Sequence, residues 1–173
     1  MKKVAVIYQS KHGTTKQYAQ WIAGALNAAP VEASTVKPAQ LTEYDIVIYG
    51  GWLFAGKISG VKLVTKHTCN ALVVFTVGIT DPQTTDYTSI LAENFTPELL
   101  PNIKVFHLRG GIDYRKLGFV QKSMMTMVKK YAEKKSPDEY SSENRAVLET
   151  YGETVDFTDI SAIAPIVDCV RAM

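Results

Sequence analysis

The strongest constraint on this chain is a set of apolar runs, each stopping abruptly in a polar or glycine-containing loop. Val4-Ala5-Val6-Ile7-Tyr8 leads into Gln9-Ser10-Lys11-His12-Gly13-Thr14-Thr15-Lys16. Asp45 to Tyr49 runs into Gly50-Gly51, Ala71 to Val77 into Gly78, and Lys104 to Arg109 into Gly110-Gly111. Runs of this length without polar alternation suit strands buried on both faces, the state of a parallel sheet.

Between the runs, apolar residues recur at three- and four-residue steps. Tyr18, Trp21, Ile22, Ala25 and Leu26 fall on one helical face, and Thr14 or Thr15 is expected to cap that helix. A short strand is expected over 31–36, and helices over 58–67, 84–94, 117–135 and 161–170. Strands alternating with helices give an α/β class, one domain over residues 1–173. Five strands fit a doubly wound parallel sheet of order 2-1-3-4-5 with right-handed crossovers. Residues 112–157 exceed what one crossover requires, so a late helical and acidic insertion is expected there.

Composition closes off several functions. No run approaches the roughly 18 apolar residues of a membrane span, and the apolar stretch after Met1-Lys2-Lys3 is too short for a signal peptide. A cytoplasmic protein is expected. Cys69 and Cys169 form no redox pair, and His12, His67 and His107 are too scattered for a metal site. The net charge of +2 hides two opposed blocks. Residues 115–135 carry seven basic groups against Glu133, and residues 136–160 carry seven acidic groups against Arg145. They neutralise one another or present separate faces to partners.

The chemistry concentrates at the strand ends. A strand entering a helix through a Gly/Ser/Thr loop forms an anion cradle, because the helix start offers free N–H groups and the positive end of its dipole. Ser10, Thr14 and Thr15 add hydroxyls, Gly13 gives backbone access, and Lys11 and Lys16 add charge. Neither the Walker pattern nor the Gly-x-Gly-x-x-Gly fingerprint is present, which disfavours a nucleoside triphosphate or NAD held by those motifs. In a doubly wound sheet the ligand lies at the carboxyl ends of strands one and three. There the chain reads Gly50-Gly51-Trp52-Leu53-Phe54-Ala55-Gly56-Lys57, with aromatic rings suited to a planar ligand. The next strand end reads Thr76-Val77-Gly78-Ile79-Thr80-Asp81-Pro82. Together the three loops predict an FMN site. Ser10, His12, Gly13, Thr14 and Thr15 are assigned to the phosphate. Gly51, Trp52, Leu53 and Phe54 are assigned to the ring, and Thr76, Val77 and Gly78 to its other side. Lys57 is assigned to the anionic edge of the reduced ring.

With these loops in place the chain resembles the flavodoxin family. Within it, the chain is most similar to the flavodoxin-like menaquinone-dependent protoporphyrinogen dehydrogenases. The match runs from Ser10-Lys11-His12-Gly13-Thr14-Thr15 to Gly110-Gly111-Ile112-Asp113-Tyr114-Arg115 and the basic, methionine-containing helix that follows. The resemblance implies a flavodoxin-like fold, non-covalent FMN and electron transfer at the flavin N5, with no catalytic side chain. It also implies a quinone or porphyrinogen as small-molecule partner; the alternative is a flavodoxin-type carrier serving a redox partner protein. A flavin-free binding or signalling domain is a further alternative, although QSKHG has no carboxylate of the kind a receiver domain needs. Nucleic acid is not an expected partner. Several residues depart from the family pattern. His12 stands where a hydroxyl is usual, Lys16 where an acid is usual, and no tyrosine lies within Val77–Pro82. The slightly basic balance also differs from acidic carrier flavodoxins and favours the oxidoreductase branch.

Leu117, Val120, Met124, Met127, Val128 and Tyr131 share one stripe of the 117–135 helix, with Phe119 and Met125 beside it. The stripe is expected to pack on the core with the lysines in solvent. The sharper alternative is a peripheral contact through 117–135 with the inner face of a membrane, or with an apolar substrate. Asp113, Tyr114 and Arg115 are expected at the site entrance or as turn residues.

Overall fold

The computed structural model describes residues 2–173. In chain order the elements are β1 (Val4–Gln9), α1 (Thr14–Ala25), β2 (Pro30–Glu32), β3 (Ile46–Phe54), β4 (Lys57–Ile58) and α2 (Lys62–Thr65). There follow β5 (Leu72–Gly78), α3 (Thr88–Asn94), β6 (Ile103–Arg109), β7 (Gly111–Asp113) and α4 (Phe119–Ala132). The chain ends with α5 (Ser142–Thr150), β8 (Thr154–Asp156) and α6 (Ala164–Ala172). No helix among the described residues is long and apolar enough to cross a membrane.

Five parallel strands stand in the order β2-β1-β3-β5-β6, the expected doubly wound arrangement. The apolar runs are explained by their two-sided burial. Successive side chains on a strand point to opposite faces. Val6, Tyr8, Ile48, Val73 and Phe75 therefore pack on one face against Tyr18 and Ile22 of α1 and Ile166 and Val170 of α6. Ala5, Ile7, Val47, Tyr49 and Val74 pack on the other against Leu41, Val64 and Phe95.

Several boundaries differ from expectation. The strand expected over 31–36 is only Pro30–Glu32, followed by a 3-10 turn over Ala33–Thr35, and the helix expected over 84–94 begins at Thr88. Gly50-Gly51 does not end β3; the strand runs on to Phe54 and folds back as β4, antiparallel to it. Gly50 sits in mid-strand because a Cβ there would overlap the Phe75 ring on β5. The helix expected over 58–67 shrinks to α2, since Ile58 is taken by β4 and Gly60 turns the chain with φ +70°. The polar, acidic stretch after residue 136 holds α5, whose Ser141 caps it by accepting from the Asn144 N–H at 3.2 Å.

The insertion leaves and rejoins the sheet through β7 and β8, which pair antiparallel with each other and not with the main sheet. Ile112, Leu117, Met125 and Val147 form its own small core. Its root is fastened by Arg109. The guanidinium donates to the Ile79 carbonyl at 3.1 Å, pairs with Glu149 at 2.6 Å and lies 3.7 Å from the Phe157 ring.

The expected inward stripe of α4 is corrected by the structure. Leu117, just before the helix, is buried; Gln121, Met125 and Ala132 are the buried residues within it. Phe119, Val120, Met127 and Tyr131 face solvent. The chain has two apolar stripes here, and the insertion buries the one containing Met125.

Candidate functional site

The carboxyl ends of β1, β3 and β5 meet beneath the insertion and enclose a cavity of about 380 Å³. That volume suits a cofactor or small ligand. Its floor is the turn into α1. Gly13 adopts φ +93°, a left-handed conformation open to glycine, and its N–H donates to Ser10 Oγ at 3.1 Å. The first intrahelical bond runs from the Gln17 N–H to the Gly13 carbonyl at 2.9 Å. The amides of Thr14, Thr15 and Lys16 precede it, so they form the unpaired donor end of the helix. The expected hydroxyl cap is absent: neither Thr14 nor Thr15 caps α1. Both threonines instead line the cavity.

One wall is the β3–β4 hairpin, with Trp52, Leu53 and Phe54 lining the cavity and Trp52 and Phe54 centred 5.6 Å apart. Lys11 Nζ lies 5.4 Å from the centre of the Trp52 ring. Asn94 holds this hairpin. Its amide donates to the Gly56 carbonyl at 2.7 Å, and its carbonyl accepts from the Ile58 N–H at 2.9 Å. No sequence pattern marks Asn94, because its partners are backbone groups on a distant loop. The opposite wall comes from Val77, Gly78, Ile79 and Thr80 after β5.

The roof comes from the insertion: Met124, Met125 and Val128 of α4, and Val147 and Glu143 of α5. The sequence reading assigned none of these to the site. Gln121, on α4 and buried, joins roof to floor, its amide nitrogen 3.4 Å from His12 Nε2. The Gln121 carbonyl oxygen faces the Gly118 N–H, which leaves the amide N–H for the imidazole. His12 is held below its ordinary pKa, first by burial and then by the nearby Lys11 ammonium. The ring is therefore neutral and free to accept.

Of the residues assigned from sequence, His12, Thr14, Thr15, Trp52, Leu53, Phe54, Val77 and Gly78 line this cavity. Ser10 and Gly13 shape the loop beneath it. Gly51, Thr76 and Lys57 lie outside the lining. Gly51 is buried against Ile58 and Ser59, and Thr76 bonds His107 Nδ1 at 2.7 Å. Lys57 pairs with Glu93 at 2.5 Å. Tyr114 and Arg115 stand off the cavity, and Arg115 turns back to Asp113 at 3.0 Å.

The family model described as "Flavodoxin domain" matches residues 5–139, which include all three strand-end loops. The chain belongs to the flavodoxin domain family. Among curated proteins, none matches it in sequence. Among solved structures, this flavodoxin domain is similar to oxidised Flavodoxin 1 from Bacillus cereus. Identity is 16%, coverage 62% of this chain and 84% of that one, and TM-score 0.44. Oxidised Flavodoxin 2 from Bacillus cereus shows 16% identity, 62% and 84% coverage and a TM-score of 0.46. A flavoprotein in complex with FMN from Lactobacillus acidophilus shows 13% identity, 63% and 93% coverage and a TM-score of 0.41. The α/β fold is flavodoxin-like, with a long addition between β6 and α6.

Proposed function

We propose that this flavodoxin domain binds FMN and exchanges electrons with a small, largely apolar-bodied molecule of the porphyrinogen or quinone class. The observation that carries the reading is the roof: Met124, Met125, Val128 and Val147 close over the cavity that the flavodoxin loops open. A carrier that hands electrons to a protein needs an exposed ring edge. Here the insertion covers that region with apolar side chains, which suits a small partner that fits beneath them.

The residues present fit the cofactor. The amides of Thr14, Thr15 and Lys16, with the hydroxyls of Thr14 and Thr15, would hold the phosphate at the positive end of α1. Trp52 and Phe54 would pack against the ring. FMN, when bound, supplies one- or two-electron transfer at that ring. The protein supplies position and a dry wall. Asn94 keeps the Trp52 hairpin in place, and the methionines exclude water from above. Neutral His12 leaves the charge of the phosphate to the helix dipole and lysines.

Two measurements test the reading. Addition of the chain to FMN should quench flavin fluorescence; a colourless preparation that causes no quenching rules out the cofactor. Anaerobic turnover with protoporphyrinogen and a menaquinone analogue should then be saturable. FMN binding without turnover of either molecule would assign the domain to the carrier class.

A further inference from the structure

The outer face of α4 carries a second groove, separate from the cavity. At 100° per residue, Phe119, Val120, Met127, Lys130 and Tyr131 fall within an arc of about 120°, and Lys134 follows in the turn just past the helix. Phe119 is 86% exposed, Val120 66%, Met127 63% and Tyr131 59%. These four are the largest concentration of exposed apolar side chains among the described residues. Contiguous patches of that kind on a folded chain mark contact sites.

The charges within α4 itself are of one sign. Phe119–Ala132 contains no acidic residue. Glu133, just beyond, is exposed and is paired with Lys129 at 3.7 Å. No carboxylate among the described residues pairs with Lys122, Lys130 or Lys134. Lys122, Lys130 and Lys134 line the same shallow groove as Phe119, Met127 and Tyr131. The groove offers aromatic and thioether groups to hydrocarbon, and ammonium groups to anions at the same level.

We infer that the outer face of α4 docks on an anionic lipid bilayer, the helix lying in the plane of the headgroups. Aromatic and aliphatic groups interleaved with lysines on one convex helix match an interfacial helix. The unpaired lysines complement anionic headgroups. The inner face of the same helix supplies Met124, Met125 and Val128 to the cavity roof. A docked α4 therefore holds the cavity about one helix diameter, on the order of 10 Å, from the hydrocarbon. The docking surface is independent of the FMN reading, because none of its groove residues lines the cavity.

The test is flotation of the full chain with vesicles of phosphatidylcholine alone or of phosphatidylcholine mixed with anionic phosphatidylglycerol, whose negative surface attracts clustered lysines. Co-flotation is expected with the anionic vesicles at low salt, reduced by salt, and absent with phosphatidylcholine. The pair Phe119→Ser and Met127→Ser, and separately the triple Lys122→Gln, Lys130→Gln and Lys134→Gln, should each lower partitioning by about tenfold or more. All five side chains lie on the outer groove, so circular dichroism and FMN quenching should stay at wild-type values. Failure to float with anionic vesicles at low salt overturns the inference. So does equal flotation with neutral vesicles, or binding to anionic vesicles that both variants retain. Binding to soluble polyanions that the serine pair leaves intact, with no vesicle binding, would assign the lysines to a different partner and also overturn it.

Discussion

The imidazole of His107 lies flat on the ring of Tyr87, with 3.5 Å between ring centres and 2° between planes. His107 Nδ1 bonds the buried hydroxyl of Thr76 at 2.7 Å. Tyr87, the nearest tyrosine in sequence to the Val77–Pro82 loop, is thereby committed to the β5–β6 edge and does not line the cavity.

This stack makes stability depend on pH. Burial pulls the His107 pKa from 6.5 down to about 4. Between those values the unfolded chain binds more protons than the folded one. Stability therefore rises with pH across that window and is lost as pH falls from 6.5 towards 4. Allowing for the partly exposed ring, the loss is on the order of 1–2 kcal/mol. Urea midpoints measured from pH 7.5 to 4 should show it, and His107→Gln should flatten that part of the profile.

Asn94→Ala should loosen the aromatic wall. The substitution removes the bonds to Gly56 and Ile58 and leaves their backbone groups unpaired. The expected loss is about 1–3 kcal/mol in thermal or urea unfolding. FMN affinity should fall by more than the same stability loss causes elsewhere in the sheet, as read by fluorescence quenching.

Gly13→Ala tests the loop by backbone strain alone. Nothing lies within 4 Å of the added Cβ, yet φ is +93°. The cost should be about 1–2 kcal/mol, with a matched drop in FMN affinity measured by titration.

Met125→Ala should act on the insertion and spare the sheet. Met125 packs with Ile112, Leu117 and Val147 in the small core and also roofs the cavity. A loss of about 2 kcal/mol or more is expected there. Hydrogen exchange and limited proteolysis should show faster opening over 114–153, with protection of β1, β3 and β5 unchanged.

The sheet was legible because a strand covered on both sides must be apolar at every position, and few other states demand that. The strand-end loops were legible for a related reason: glycine and hydroxyl residues interrupt those runs where the strand ends open into the cavity. Gly50-Gly51 misled because a glycine required by the neighbouring Phe75 ring looks, in sequence, like a strand end. The roof was not legible. Periodicity shows which residues of α4 share a stripe, but α4 carries two apolar stripes, and α5 decides which of them is buried. Asn94 and Gln121 were silent because each acts on groups far away in the chain.

The ribbon of β7 and β8 has a consequence for how such a chain arises and changes. Asp113 faces Thr154 across it, and the Tyr114 N–H donates to the Glu153 carbonyl at 3.1 Å. Everything from 114 to 153 thus departs and returns through one pair of neighbouring residues. Topologically it is a hairpin with a very long loop. Another segment grafted at the same two residues would keep the sheet register, while the contact of Gln121 with His12 on the anion loop would be lost. This ribbon is the seam between the sheet and the segment that roofs the cavity.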